Sequence, residues 1–363
     1  MRVEDSISHH TDTQVETGAI DMTVGVMYWE DNDGIASLIS GILKRRGCEV
    51  VNFVHDAVLP ADVDVVLAYA PFGSLTPLAR QLLSRPTDRR PLLALWLTEP
   101  LPNPRLPEWF RRGGGAIRSA ADRLAYTRTA TGIWQRDPGL GWLTSSAFRY
   151  RYYGDLFWLR QQGLLSVLAV TSRIVADFLH DRGFDPILAY LGAHPDWWAD
   201  LHLKRDIPVL WLGKMATDRR RRILNRVRTE LRERGVEILV VDGLENPYIF
   251  GHERTVLLNR TVVALNLLRQ EHDNNGMRFF LAASNRALIL TEPTLPHTPF
   301  LPNVHLIEAP VDQMAETICF YLANENARAK IVEEAHRLAT DNLTMEKSLD
   351  RIFQLGIVPH LRK

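Results

Sequence analysis

Cysteine is scarce in this chain. Cys48 and Cys319 are the only two among 363 residues, and they lie far apart. They build neither a disulfide framework nor a metal-type spacing, which suits a reducing compartment, so a cytoplasmic location is expected. Net charge is also lacking: 43 basic residues balance 43 acidic ones, so no global basic field argues for nucleic acid. No run reaches the roughly 18 apolar residues needed to span a bilayer. The opening MRVEDSISHHTDTQVETGAID has no apolar core of the signal-peptide kind and reads as a disordered tail over 1–21. Several catalytic signatures are missing as well: GxxxxGK with Ser or Thr, HExxH and GxSxG. Gly113–Gly115 do not form GxGxxG, and this counts against a dinucleotide oxidoreductase.

What is present is ordinary globular material, 46% hydrophobic and 24% charged, in a chain longer than one usual domain. From Met22 short apolar runs (MTVGVMYW, VDVVLAYA, PLLALWLTE) alternate with amphipathic ones (IASLISGILKRRG, LTPLARQLLS). That rhythm predicts βαβ units on a parallel sheet whose strands are covered on both faces. After the less regular stretch from Pro104 to Gly163, LLSVLAV and TSRIVADFLHDRG restore it, and a second start follows with IPVLWLG at Ile207. We therefore expect two doubly wound, Rossmann-like α/β domains facing a cleft, at 22–200 and 201–340. Residues 341–363 are expected to form a C-terminal helix packing back across that cleft.

Ligands on such sheets gather at the carboxyl ends of strands, here Glu30–Asp33, Ala70–Ser74 and Thr98–Pro104 in the first domain. In the second, WLGKMATDRRRRIL places Gly213 and Lys214 after a strand and Arg219–Arg222 in the first turn of a helix, where the dipole disfavours cations. A phosphate group would compensate; a solvated basic face paired with Glu230 or Glu233 is the plain alternative. The stretch LNLLRQEHDNNGMRFF repeats the theme: Asp273 or Asn274 can cap a helix starting near Asn275, beside Arg269 and Arg278. Plain capping and a local salt bridge are the alternatives there. Gly113–Gly115 read as a flexible loop or as a close backbone approach to a ligand. His194 either lines the cleft or closes a turn, and Glu99 is either a base or an exposed loop carboxylate. The aromatic-basic stretch 147–160 suggests interdomain packing, with peripheral membrane contact as the alternative.

Taken together, RDIPVLWLG at 205–213, GHERTVLLNRTVVALNLL at 251–268, MRFF at 277–280 and LTEP at 290–293 resemble the nucleotide-binding domain of GT-B glycosyltransferases. The similarity is to the group 1 branch that includes spore-maturation CgeB-type proteins. TSRIVADFLHDRGFDPILAYLGAHP is similar to that family's bridge between domains. The resemblance implies sugar transfer from a nucleotide-diphosphate-sugar donor to a glycan, lipid or protein acceptor, retaining configuration, with no metal or cofactor. It implies Lys214, Arg219 and Arg278 as stabilisers of the departing diphosphate. Gly213, Arg269, Asp273, Asn274, Asn275, Thr291 and Glu292 would then surround the donor, and Glu99 would be the base if the reaction inverted. One departure stands out. Where retaining members carry two glutamates eight residues apart and then a glycine, this chain has Asp273, Leu281 and Arg286, and leucine accepts no hydroxyl hydrogen bond. A catalytically inactive binding or assembly protein of the same shape is therefore the alternative function.

Overall fold

The computed structural model describes residues 22–29, 34–99, 101–129, 133–137, 139, 148–214, 217–269, 276–294 and 299–362. Two parallel sheets organise them. The first has the order β2-β1-β3-β4-β7-β8, from β1 (Thr23–Tyr28), β2 (Glu49–Val54), β3 (Val65–Tyr69), β4 (Leu92–Leu97), β7 (Leu165–Val170) and β8 (Pro186–Leu188). The second has the order β10-β9-β11-β12-β13, from β9 (Ile207–Leu212), β10 (Ile238–Val241), β11 (Thr261–Asn266), β12 (Leu288–Thr291) and β13 (Ile307–Glu308). In each sheet the strand order reverses beside the first strand, between β1 and β3 and between β9 and β11. Those two switch points are where the crossover helices diverge to opposite faces and leave a crevice.

Burial explains why the strands were legible. All five residues of β3 are buried, as a central parallel strand covered on both faces requires. Helices α1 (Ile35–Arg45) and α2 (Thr76–Ser84) cover the first sheet. In the second domain α6 (Asp218–Arg232) buries Leu224, Val227 and Leu231 against Trp211 and Val263, at the helical spacing that makes one apolar face.

The stretch from Pro104 to Gly163 holds two long helices, α3 (Glu108–Ala125) and α4 (Phe148–Gln161), packed on each other. This corrects the loop reading of Gly113–Gly115, which lie inside α3. Glycine there serves a close crossing: a Cβ on Gly114 would meet the Tyr150 ring at 3.0 Å, and one on Gly154 would overlap the Gly115 carbonyl. The aromatic-basic stretch is α4, and its Tyr152, Tyr153, Leu156 and Leu159 belong to the core of the first domain, so the interdomain reading is also corrected. Gly154→Ala is expected to destabilise the protein by about 1–3 kcal/mol through overpacking. Gly113 has nothing within 4 Å of its would-be Cβ, so Gly113→Ala should stabilise it by about 1 kcal/mol. Urea unfolding of both variants checks the pair of opposite signs.

Between these helices runs a buried polar seam. Asp122 accepts from the Ser74 hydroxyl, from Thr76 Oγ1 at 3.1 Å and from Arg151 at 3.3 Å, while Arg151 also donates to the Gly73 carbonyl. Asp155, one turn further along α4, accepts from Ser119; burial first, then the nearby Asp122 charge, pushes its carboxyl up to about 7. A raised folded value stabilises only the protonated form. That contribution is complete below the ordinary value of 3.8 and is lost as pH rises through about 7. Asp155→Asn should therefore gain stability relative to wild type between pH 5 and pH 8, and thermal melts at those two pH values test it.

The last elements return to the first sheet. Helices α9 (Met314–Ala323) and α10 (Glu325–Arg337) stay with the second domain. Then α11 (Met345–Ile352) packs on α1 and β8, and residues 353–357 pack on β4 and β7. Gly356 lies so close to Val167 and Ile187 that a Cβ would stand 2.9 Å from the Ile187 side chain. Where the chain crosses back, Ala193 and Thr344 form an isolated parallel bridge. Among the described residues no helix is long and apolar enough to cross a membrane.

Candidate functional site

The second switch point collects the positive charge. β9 ends at Leu212, and Gly213 follows with φ +151°, its N–H donating to the Val241 carbonyl at 3.0 Å. Its bare Cα is covered by Arg278: a Cβ at Gly213 would stand 3.0 Å from an Arg278 guanidinium nitrogen. Arg278 is the second residue of α8 (Met277–Ser284), whose N-cap is Gly276 with no side-chain cap. The expected start near Asn275, capped by Asp273 or Asn274, is thus corrected to Met277. Asp273, Asn274 and Asn275 themselves lie outside the described residues. Lys214 is exposed beside Gly213.

Behind Arg278, the side chains of Leu212, Ala264, Asn266, Phe279, Leu281 and Ala282 enclose a small apolar cavity at the carboxyl ends of β9 and β11. Leu281, at the position where the resemblance expects a glutamate, is buried and forms part of this wall. Arg286 stands where the resemblance expects glycine, and its φ of +55° is one that glycine adopts without strain. Its guanidinium pairs with Glu333 at 3.1 Å and Asp200 at 3.6 Å.

The arginines of α6 are used differently from expectation. Thr217 caps the helix, accepting from Arg220 N at 3.3 Å. Arg219 forms a two-pronged ion pair with Glu292, one bond at 3.1 Å, and also donates to the Leu268 carbonyl at 2.9 Å. Glu292 in turn accepts from Leu268 N at 2.8 Å. Arg220 is buried and donates to the carbonyls of Leu267 and Lys214, both at 2.9 Å. In this first helical turn Glu292 and strand-end carbonyls therefore supply negative partners to Arg219 and Arg220. Thr291 is fully buried, with its hydroxyl accepting from Asn266 at 2.9 Å, and Glu292 beside it is buried as well. Sequence reasoning missed Asn266; the signal was a lone amide closing the apolar strand TVVALN.

Across the groove stands the first sheet. Glu99, two residues past β4, meets Arg269, three residues past β11, at 3.9 Å. Both side chains are about one-third exposed, at 35% and 32%. One carboxylate past the end of β4 and one guanidinium past the end of β11 therefore meet between the two sheets. His194 closes a turn: its Nδ1 accepts from Asp196 N at 3.1 Å at the start of a short 3-10 turn, and burial lowers its pKa. Of its two readings the structure shows the turn. Trp197 is buried beside it, and its carbonyl accepts from Asn285 Nδ2 at 2.9 Å. Among the described residues no cluster of three His, Cys, Asp or Glu could hold a metal ion.

Residues 216–354 match the family model described as glycosyl transferase-like. That segment is a glycosyl transferase-like domain. The two-sheet architecture is the GT-B fold. Sucrose-phosphate synthase from Thermosynechococcus elongatus superposes with a TM-score of 0.57 at 11% identity, over 94% of this chain and 99% of that one. HepE from Anabaena, in complex with UDP and glucose, gives 0.54 at 10%, over 92% and 99%. A TarM variant from S. aureus gives 0.51 at 8%, over 80% of this chain and 55% of that one, so the chain spans about half the length of that relative. Among curated protein sequences nothing matches. The matched segment begins just before α6 and ends two residues past α11. It therefore includes Arg219, Arg269, Arg278, Leu281 and Glu292, whereas Gly213 and Lys214 lie just ahead of it.

Proposed function

We propose that the protein transfers a sugar from a nucleotide-diphosphate-sugar donor, held at the β9/β11 switch point, to an acceptor approaching from the first sheet. The observation that carries this reading is the placement of the Arg278 guanidinium over the side-chain-free Gly213, with Lys214 beside it and Arg269 at the neighbouring strand end. A diphosphate lying on Gly213 would meet a planar donor fork, a point charge and the amino end of α8. UDP is the first candidate because HepE is described with UDP and glucose and the TarM variant with UDP, both on the same fold.

In the retaining version the bond between the anomeric carbon and the diphosphate oxygen breaks as the acceptor oxygen bonds to that carbon on the same face. The departing diphosphate takes the acceptor proton. Negative charge grows on the diphosphate during that step, so Arg278 and Lys214 bind it more tightly as the reaction proceeds and lower the barrier. Glu99 is the base should the reaction invert, and its pairing with Arg269 would hold it at the groove. Arg219 acts through Glu292 and Leu268, fixing the strand end on which the donor rests.

A second reading keeps the nucleotide and drops the chemistry. Leu281, buried where a ribose-binding glutamate is implied, favours a binding or assembly protein. Calorimetric titration with UDP, GDP and ADP, followed by turnover with the matching sugar donors, separates the two. Binding with transfer supports the enzyme, binding without hydrolysis or transfer supports the second reading, and a folded protein that binds none of the three overturns the donor site.

A further inference from the structure

The outer face of α3 is apolar along its whole length. Trp109, Ile117 and Leu124 are 75%, 69% and 74% exposed, an unusual set for one helix of a globular domain. At 3.6 residues per turn they share one arc with Gly113, Ala116 and Ala120. The opposite arc, with Arg111, Gly115, Ser119 and Asp122, is the one buried against α4. The acidic residues of α3 are withdrawn from the outer face: Asp122 is buried, and Glu108 pairs with Arg111 at 2.7 Å and Arg182 at 2.9 Å. Arginine forms the border. Arg112 and Arg123 lie along one edge of the arc with their guanidiniums over the Phe157 and Trp158 rings of α4, at 3.5 and 4.7 Å, Arg105 precedes the helix, and Arg128 and Arg136 are exposed on the hairpin of β5 (Tyr126–Arg128) and β6 (Trp134–Arg136) that follows it.

We propose that this face docks on an anionic lipid surface, with Trp109, Ile117 and Leu124 entering the headgroup boundary and the arginine border meeting lipid phosphates. The charge pattern selects this occupant. A second copy of the chain seated face to face would set one arginine border against another, whereas an anionic bilayer complements both the border and the apolar arc. Tryptophan at one end of the arc suits the headgroup level. The helix lies in the first domain, the acceptor side of the groove, yet the docking stands whether or not sugar transfer occurs.

The test is co-sedimentation of the full-length protein with vesicles of phosphatidylcholine alone or containing about 30% phosphatidylglycerol. Wild type should be retained on the anionic vesicles and released several-fold by raising salt from about 50 to about 500 mM. The exposed double variant Ile117→Ser with Leu124→Ser should keep the wild-type melting temperature and lose at least tenfold in vesicle affinity. No retention on anionic vesicles overturns the proposal, as does retention the double variant leaves unchanged. A concentration-dependent dimer of the wild type that the double variant abolishes, without vesicle retention, assigns the face to a second copy and overturns it as well.

Discussion

Arg278→Ala is expected to weaken nucleoside diphosphate binding by about tenfold or more and to lower turnover by about 10²–10³. The larger effect belongs to turnover because the guanidinium faces a group whose charge grows as the donor bond breaks. Arg278 is half-buried at the amino end of α8, beside the cavity walled by Leu281, and alanine there should leave the fold intact. Arg278→Lys keeps the charge but loses the two-pronged geometry, so it should recover binding more than turnover. Gly213 provides an independent check from the opposite side. With φ +151° and Arg278 at 3.0 Å from a would-be Cβ, Gly213→Val must displace the arginine and should copy its loss. Calorimetry and initial rates on the three variants would show it; unaltered affinity in Arg278→Ala with intact secondary structure would remove the diphosphate from this position.

The second large effect concerns stability. Glu292 is buried, and it satisfies both the Leu268 N–H and the Arg219 guanidinium. Glu292→Ala takes the carboxylate from a partly buried cation and removes the acceptor of the buried Leu268 N–H, and should cost about 3–5 kcal/mol in urea unfolding. Removing both charges is less harmful than removing one. The double variant Arg219→Met with Glu292→Leu should regain a large part of the loss, because neither ion then needs a counter-charge in low dielectric. A double variant as unstable as Glu292→Ala would show that the Leu268 bond, and not the ion pair, dominates.

These expectations separate what the amino-acid order made legible from what it did not. The parallel sheets were legible because strands covered on both faces must be apolar throughout, as LLALWL and TVVALN nearly are. The amino end of α6 was legible from Thr217 and its crowd of arginines. Their partners were not: the ion pair spans residues 219 and 292, and nothing local to either segment distinguishes Arg219, which is turned onto Glu292, from Arg278, which lies over Gly213. Both simply follow strand ends. Helix α3 was hidden for a different reason. Three consecutive glycines disfavour an isolated helix by about 1 kcal/mol each, and only a crossing with α4 at backbone contact makes two of them useful. Tertiary packing overrode local preference there.

The crossing at Ala193 and Thr344 ties the outgoing chain to the returning one. The outgoing and returning segments are bonded to each other, Ala193 N to the Leu343 carbonyl and Met345 N to the Ala193 carbonyl, both at 2.8 Å. Gly192, with φ +77°, lets them touch backbone to backbone. Two strands bound along one short seam behave as the spine of a book: the halves can swing about it, but sliding or unscrewing would have to break those bonds. Opening should thus move Glu99 and Arg269 apart along a single arc while leaving Gly213 and Arg278, both on the same cover, in register throughout.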